Sequence, residues 1–263
     1  LDDAFGREIA VGWHDSASSL IGYGLGERST PLGRWVWGKN LNLSPAGLQL
    51  EVHSSWGDGE LHLGLLGRFN ASNILASLAT LLALNVPFSA ALDRLARTAA
   101  VPGRMERLGG GDQPLVVIDY AHTPHALEQV LIALREHGGN RLWCVFGCGG
   151  DRDSGKRPLM GAVAEQLANQ IIVTDDNPRT ENPDQIIHDI LAGIRQTEKV
   201  AVVRNRRAAI VQALTAATSG DIVLIAGKGH ENYQIIGTER QPFSDRAVVD
   251  EYLFSDRQDK QIR

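Results

Sequence analysis

From about residue 115 to 226, short apolar runs alternate strictly with amphipathic runs, and this alternation constrains the fold more than any other feature. Strands are predicted at about 115–119, 142–147, 171–174, 200–203 and 222–226. Helices are predicted between them, at about 124–136, 158–168, 184–194 and 206–217. Repeated strand–helix units give an α/β fold whose mainly parallel sheet carries helices on both faces. The expectation is a Rossmann-like domain of about 160 residues. Its first strand is followed by Asp119-Tyr120-Ala121-His122-Thr123-Pro124 and by no G-x-G-x-x-G. A nicotinamide or flavin dinucleotide site is therefore disfavoured, and an oxidoreductase with it.

The preceding residues read differently. Up to about residue 68, alternating runs such as Arg34–Trp37, Leu48–Val52 and Glu60–Leu63 are punctuated by Ser44-Pro45-Ala46-Gly47 and Gly57-Asp58-Gly59, an antiparallel pattern. His53 and His62 lie in such strands and read as surface or packed strand residues rather than ligands. Gly67-Arg68-Phe69-Asn70-Ala71-Ser72-Asn73 opens a helix through about Leu84, and a second helix runs from about Ser89 to Ala99. Asn70 and Asn73 lie near one face of the first turn, as caps or as amides for a ligand. Pro102 to Arg107 reads as a linker.

At 263 residues the chain is long enough for one or two domains. A net charge of −5 without a basic run argues against a nucleic-acid partner. Cys144 and Cys148, the two cysteines, fit a reducing compartment, and their spacing is poor for zinc. No apolar run reaches the roughly 18 residues of a membrane span, so no membrane partner is expected. The chain opens on Leu1-Asp2-Asp3-Ala4, with neither Met nor a secretory leader, and so reads as part of something longer.

Ligands of wound sheets bind outside the carboxyl ends of the strands. The segments there are Asp119 with His122, Gly147-Cys148-Gly149-Gly150-Asp151-Arg152, Asp176 to Arg179, and Gly227-Lys228-Gly229-His230-Glu231. Glycines let backbone approach a ligand, Arg152 and Arg179 can hold carboxylates, and Glu231 can hold an ammonium. That mixture suits a zwitterion such as an amino acid. Asn182 is the expected N-cap of the helix after Arg179, with Pro183 at its first position and Gln185 three residues past the cap. Arg179 then stands just ahead of a helix N-terminus, which favours an anion. The competing readings are a plain Asn-Pro turn with a solvated Arg179, a capping role for Asp175 or Asp176, and a solvated Lys228.

Six stretches together resemble the Mur ligase family. They are Gly-Arg-Phe-Asn-Ala-Ser-Asn (67–73), Pro-Gly-Arg-Met-Glu (102–106), Asp-Tyr-Ala-His-Thr-Pro (119–124), Phe-Gly-Cys-Gly-Gly-Asp-Arg-Asp (146–153), Asp-Asp-Asn-Pro-Arg (175–179) and Ala-Gly-Lys-Gly-His-Glu (226–231). The resemblance implies that residues 1–100 are the later part of an ATP-binding central domain. Residues 101–263 are then the C-terminal domain that binds the incoming amino acid. It implies an ATP-dependent, cytoplasmic and monomeric amide ligase of peptidoglycan precursor synthesis. Such a ligase adds meso-diaminopimelate to UDP-N-acetylmuramoyl-L-alanyl-D-glutamate, with Mg2+ as cofactor. Relatives that add lysine, and a chain that only binds the amino acid, are the alternatives. Family roles fall on Asn70, Asn73, Arg104 and Asp119 for ATP. For diaminopimelate they fall on Arg152, Asp176, Asn177, Pro178, Arg179, Gly227 and Glu231. The family's G-x-x-x-x-G-K-[ST] phosphate loop has no counterpart here, since Lys156 and Lys228 are followed by Arg and Gly. Most magnesium ligands, the carbamylated lysine and the uridine-nucleotide domain are expected upstream.

Overall fold

The computed structural model describes residues 1, 4–12, 20–26 and 33–261. It divides into two compact units, Leu1–Ala99 and Ala100–Arg263. Parts of the expected N-terminal β pattern, 13–19 and 27–32, lie outside the described residues.

The first unit opens with helix α1 (Ala4–Gly12) and a sheet in the order β1 (Ile21–Leu25), β2 (Arg34–Ser44), β3 (Gly47–Ser54), β4 (Gly57–Leu63). Strands β2 to β4 are antiparallel, as their alternation predicts, but β1 runs parallel to β2. In the turn after β3, Ser54 Oγ donates to the Gly57 carbonyl at 2.8 Å and accepts from Trp56 N at 3.1 Å, which pins the hairpin register. Helices α2 (Arg68–Ala83) and α3 (Phe88–Leu95) follow. The apolar stripe of α2, including Leu75 and Leu78, is buried along with Val36, Leu50, Val52 and Leu61 of the sheet.

The second unit is a six-stranded sheet in the order β5-β6-β10-β7-β8-β9. Its strands are β5 (Glu106–Gly109), β6 (Leu115–Asp119), β7 (Leu142–Phe146), β8 (Gln170–Val173), β9 (Val200–Val202) and β10 (Ile222–Ala226). Strands β6 to β10 are all parallel. Every residue of β6, β7 and β10 is buried, because helices cover both faces, and so these strands read as continuous apolar runs. The helices are α4 (Pro124–Glu136), α5 (Lys156–Leu167), α6 (Pro183–Leu191), α7 (Arg206–Ala216) and α8 (Asp245–Gln261). One face packs Ala209, Ile210, Ala213, Val248 and Val249 of α7 and α8 onto Val116, Val223 and Ile225.

Two features differ from the expectation. The stretch read as a linker ends in a strand: β5 pairs antiparallel with β6 from Glu106 opposite Ile118 to Gly109 opposite Leu115. Its first residue is a buried glutamate whose Oε2 accepts from Gly103 N at 2.8 Å and which also pairs with Arg246. A charged residue in a short edge strand hides the apolar pattern that marks strands. Beyond β10, strands β11 (Tyr233–Ile236) and β12 (Glu239–Pro242) form a separate antiparallel hairpin. All of β12 is exposed, and Glu239, Arg240 and Gln241 are polar, so no alternation announces it.

At the opposite edge from the strand C-termini, Asp221 ties the starts of β10 and β7 together. Its buried carboxylate accepts from Arg141 Nη2 at 2.8 Å, Arg141 N at 3.1 Å and Thr218 N at 3.0 Å. Burial works against its charge, yet these hydrogen bonds outweigh burial and hold the carboxyl below the ordinary range. Asp221→Ala is expected to cost about 1–3 kcal/mol in urea denaturation, since it removes the acceptor of two backbone amides. A group whose pKa is lowered on folding stabilises above its unfolded value of about 3.9 and loses that contribution on acidification. The difference between wild type and Asp221→Ala should therefore be full at pH 7 and shrink as pH falls through the lowered value. A difference that grows on acidification would contradict this role.

Candidate functional site

Four neighbouring parallel strands, β6, β10, β7 and β8, end at one edge of the second unit. The loops that follow them line a cleft of about 530 Å³. The loop after β6 contributes Tyr120, His122 and Thr123, and the loop after β7 contributes Gly147 to Gly149, Arg152, Asp153 and Lys156. The loop after β8 contributes Asp176, Asn177 and Arg179, and the segment after β10 contributes Gly227, Glu231 and Tyr233.

The β8 loop is fixed at both ends. Asn182 caps α6 as expected, accepting from Asp184 N at 2.9 Å, and Pro183 occupies the first turn. Gln185 donates to Asp189 at 2.7 Å instead of closing a capping box. Neither Asp175 nor Asp176 caps the helix; Asp175 pairs with Arg204 at 3.3 Å. Ahead of the cap, Arg179 adopts φ 54°, a left-handed conformation uncommon outside glycine. Its Nη1 donates to the Gly150 carbonyl at 2.8 Å and, at 3.4 Å, to that of Asn177. Among the described residues the guanidinium makes these hydrogen bonds through Nη1 alone, and its Nε–Nη2 edge has the planar fork that matches a carboxylate.

The neighbouring glycine loop is held against this segment. Gly150 N donates to the Asn177 carbonyl at 2.9 Å, and a Cβ at Gly150 would lie 1.9 Å from the Pro178 carbonyl oxygen. Only glycine fits there. Beneath both loops, Arg157 is buried and forks onto Glu181 at 2.6 and 2.7 Å and onto Asp189 at 2.8 Å. The hydrogen bond from Arg157 holds the Glu181 carboxyl below its ordinary range. The Glu181 carboxylate also accepts from Asp151 N at 2.9 Å, which closes the link between the β7 and β8 loops.

Lys228 is fully buried, which excludes its solvated reading. Its ammonium donates to Asn177 Oδ1 at 3.0 Å and to Glu231 Oε2 at 3.1 Å, and lies 5.6 Å from the Tyr233 ring centre. Asn177 Nδ2 donates to the same Glu231 oxygen at 3.1 Å. Asn177 and Glu231 are thereby held by a resident cation, while Glu231 Oε1 has no hydrogen bond among the described residues. Nor has the Asp176 carboxylate, although it is nearly buried. Gly227 sits against it: at φ +114° its Cβ would come within 2.7 Å of Asp176 Oδ2.

Of the residues expected at an amino-acid site, Arg152, Asp176, Asn177, Arg179, Gly227 and Glu231 line this one cleft. Pro178 does not; its carbonyl packs on Gly150 and accepts from Glu181 N at 3.3 Å. Tyr233 was not foreseen, because it belongs to the unread hairpin. Tyr120, Thr123 and Asp153 lie within segments of interest but carried no assignment of their own, and Lys156 lies just beyond one. Cys148 also lines the cleft, and burial pushes its thiol up to about 12, which keeps it protonated at neutral pH.

The residues expected at ATP fall in both units. In the first, Asn70 Nδ2 donates to the Leu66 carbonyl at 2.8 Å and Asn73 Nδ2 to Asn70 Oδ1 at 3.2 Å. Neither caps α2, whose N-cap position is Gly67. In the second, Arg104 stacks 4.8 Å above the Tyr120 ring centre. Asp119 is buried and accepts from Met105 N and Ala121 N, both at 2.8 Å. Burial raises its pKa despite those two bonds.

Residues 103–229 match the model of the Mur ligase glutamate ligase domain, and residues 1–81 that of the Mur ligase middle domain. The chain belongs to the Mur ligase family. This Mur ligase chain is 49% identical over 253 residues to a UDP-N-acetylmuramoyl-L-alanyl-D-glutamate–2,6-diaminopimelate ligase of Ectopseudomonas mendocina, covering 96% of the chain and 51% of that protein. It is 50% identical over 245 residues to the ligase of the same name from Pseudomonas aeruginosa, covering 93% and 49%. A solved structure of a ligase of that name matches at TM-score 0.72 and 41% identity, covering 89% of this chain and 47% of that one. The fold is shared with a UDP-N-acetylmuramate-alanine ligase of Thermotoga maritima, at TM-score 0.58 and 16% identity over 85% of this chain and 46% of that one. The chain spans about half the length of the curated relatives it matches.

The buried Lys228 gives a direct check on the cleft. Lys228→Met leaves Asn177 and Glu231 without their shared donor and is expected to cost about 1–3 kcal/mol of stability. A solvated lysine would cost less than about 0.5 kcal/mol, so denaturant unfolding separates the two.

Proposed function

We propose that the whole protein is an ATP-dependent ligase that adds meso-diaminopimelate to UDP-N-acetylmuramoyl-L-alanyl-D-glutamate. Mur ligases are ATP-dependent and usually use Mg2+. The observation that carries the reading is the cleft, which Arg179, bonded through Nη1 alone among the described residues, shares with the carboxylates of Asp176 and Glu231. The half-identity to diaminopimelate ligases supports the choice of amino acid.

In this reading the diaminopimelate zwitterion binds in the second unit. Its distal carboxylate lies on the Nε–Nη2 edge of Arg179, and Arg152 supplies a second, exposed guanidinium. One ammonium is shared by Asp176 and Glu231 Oε1, while Asn177 and Lys228 hold Glu231 in place. The close approach of Gly227 leaves room beside Asp176, and Pro178 fixes the bend before Arg179. ATP transfers its terminal phosphoryl group to the D-glutamyl carboxylate, giving ADP and an acyl phosphate. The free amine of diaminopimelate then attacks that carbonyl, phosphate leaves with the bonding pair, and the nitrogen loses a proton. This chain's part is to bind and orient the amine, which converts a bimolecular encounter into a local one.

Asn70, Asn73, Arg104 and Asp119 serve the nucleotide in this reading, with Asp119 acting through the turn at Met105 that presents Arg104. Among the described residues no group of three or more His, Cys, Asp or Glu could hold a metal ion. Among the described residues no helix is long and apolar enough to cross a membrane. We assign the ligase to the cytoplasm, as a monomer.

Lysine shares the head of diaminopimelate but ends in an ammonium, which a facing guanidinium repels. Arg179→Ala in the whole protein is expected to lower kcat/KM for diaminopimelate by about 30-fold or more, because it removes one partner of a charge-assisted contact. Lysine use should stay level or improve. An equal fall for both amino acids would place Arg179 on the shared head or in the fold, and would sink the specificity assignment.

A further inference from the structure

The hairpin β11–β12 adds nothing to the six-stranded sheet, forming a two-stranded sheet of its own. What it grips is the loop that carries Arg179. Arg179 N donates to the Ile235 carbonyl at 3.1 Å, and Gly237 N donates to the Arg179 carbonyl at 2.8 Å. Both backbone groups of Arg179 are thus held by one short segment, in a parallel bridge to Ile236. Ile235 N donates to Asn177 Oδ1 at 2.9 Å. One side chain completes the grip: Gln234 Nε2 donates to the Asp176 carbonyl at 2.7 Å and, at 3.4 Å, to that of Asp175. The hairpin is braced in turn by Tyr233, which lines the cleft and stacks under Arg240 at 3.6 Å.

A left-handed arginine persists only where its surroundings over-determine it. Here the surroundings are the hairpin on the backbone and Gly150 on the guanidinium. We propose that Gln234 is a positioning residue for amino-acid selection. It locks the peptide planes at Asp175 and Asp176, and through them the conformation of Asn177 and the aim of Arg179. Gln234 is not among the residues that line the cleft, so it acts through the loop and not on substrate. This inference rests on the proposed diaminopimelate ligase activity, and it adds the element that sets the specificity.

The test compares Gln234→Met, which keeps length but loses the donor, with Gln234→Lys, which keeps a donor. Both are made in the whole protein and assayed with all three substrates. In Gln234→Met the KM for meso-diaminopimelate is expected to rise about tenfold, and its preference over lysine to fall about as much, as for one lost hydrogen bond that orders a charged contact. The kcat and the KM values for ATP and the uridine nucleotide should stay within about twofold, and Gln234→Lys should recover much of the loss. Amide hydrogen exchange of residues 175–181 should speed up in Gln234→Met and not in Gln234→Lys. Equal changes in all three KM values, an unchanged preference, or unchanged exchange would overturn the proposal. If wild type consumes ATP without regard to the amino acid, the ligase reading fails. The exchange measurement then still decides whether Gln234 locks the loop.

Discussion

An ammonium with no access to water must find its hydrogen bonds inside the protein, and the cleft depends on where Lys228 finds them. Its two oxygen partners, Asn177 and Glu231, come from the loops after β8 and β10, two strands separated by β7 in the sheet. Leaving such a charge unpaired is far more costly than any turn preference of the loops themselves. The loops therefore meet where the lysine is. The same device recurs behind them. Arg157 pulls Glu181 and Asp189 together under the β7 and β8 loops. Arg206 and Asp245, both fully buried, form a two-pronged pair at the starts of α7 and α8, with a third bond at 3.0 Å to the Ala226 carbonyl where β10 ends.

These buried cations divide the charges of the cleft into two sets. Lys228 and Arg157 are committed to the protein and act as scaffolding. Arg179 is committed by one nitrogen only, and the carboxylates of Asp176 and Glu231 retain oxygens with no partner among the described residues. A rigid frame with a few unsatisfied groups of opposite sign is what a zwitterionic ligand needs, since little ordering remains to be done on binding. The strained backbone at Arg179 fits the same logic, with strain held at the residue proposed to select the amino acid.

Much of this was legible in the sequence. The parallel sheet follows from runs such as Leu115–Ile118 and Ile222–Ala226, whose continuous apolar character is explained by burial on both faces. The Asn182-Pro183 cap was readable because capping chemistry is local. Lys228 was not, because a lysine between two glycines looks exposed until its partners are known, and those partners are 51 and 3 residues away. Strand β5 escaped because Glu106 is buried through its bond to Gly103 and its pairing with Arg246, 140 residues on. The hairpin escaped because none of its residues is fully buried, β11 being half-buried at most and β12 exposed. Hydrophobic periodicity reports burial, and it is silent where polar groups are buried in pairs or where a strand stays wet.

In the proposed function, the cleft at the ends of β6, β10, β7 and β8 seats meso-diaminopimelate by its distal carboxylate. The most direct measurement is a crystal structure of the whole protein with that amino acid bound. One carboxylate is expected to pair with the Nε–Nη2 edge of Arg179, at about 2.7–2.9 Å, and one ammonium to lie between Asp176 and Glu231. A ligand bound outside the cleft would contradict it, as would one whose carboxylates both avoid Arg179 while that residue keeps only its bond to Gly150.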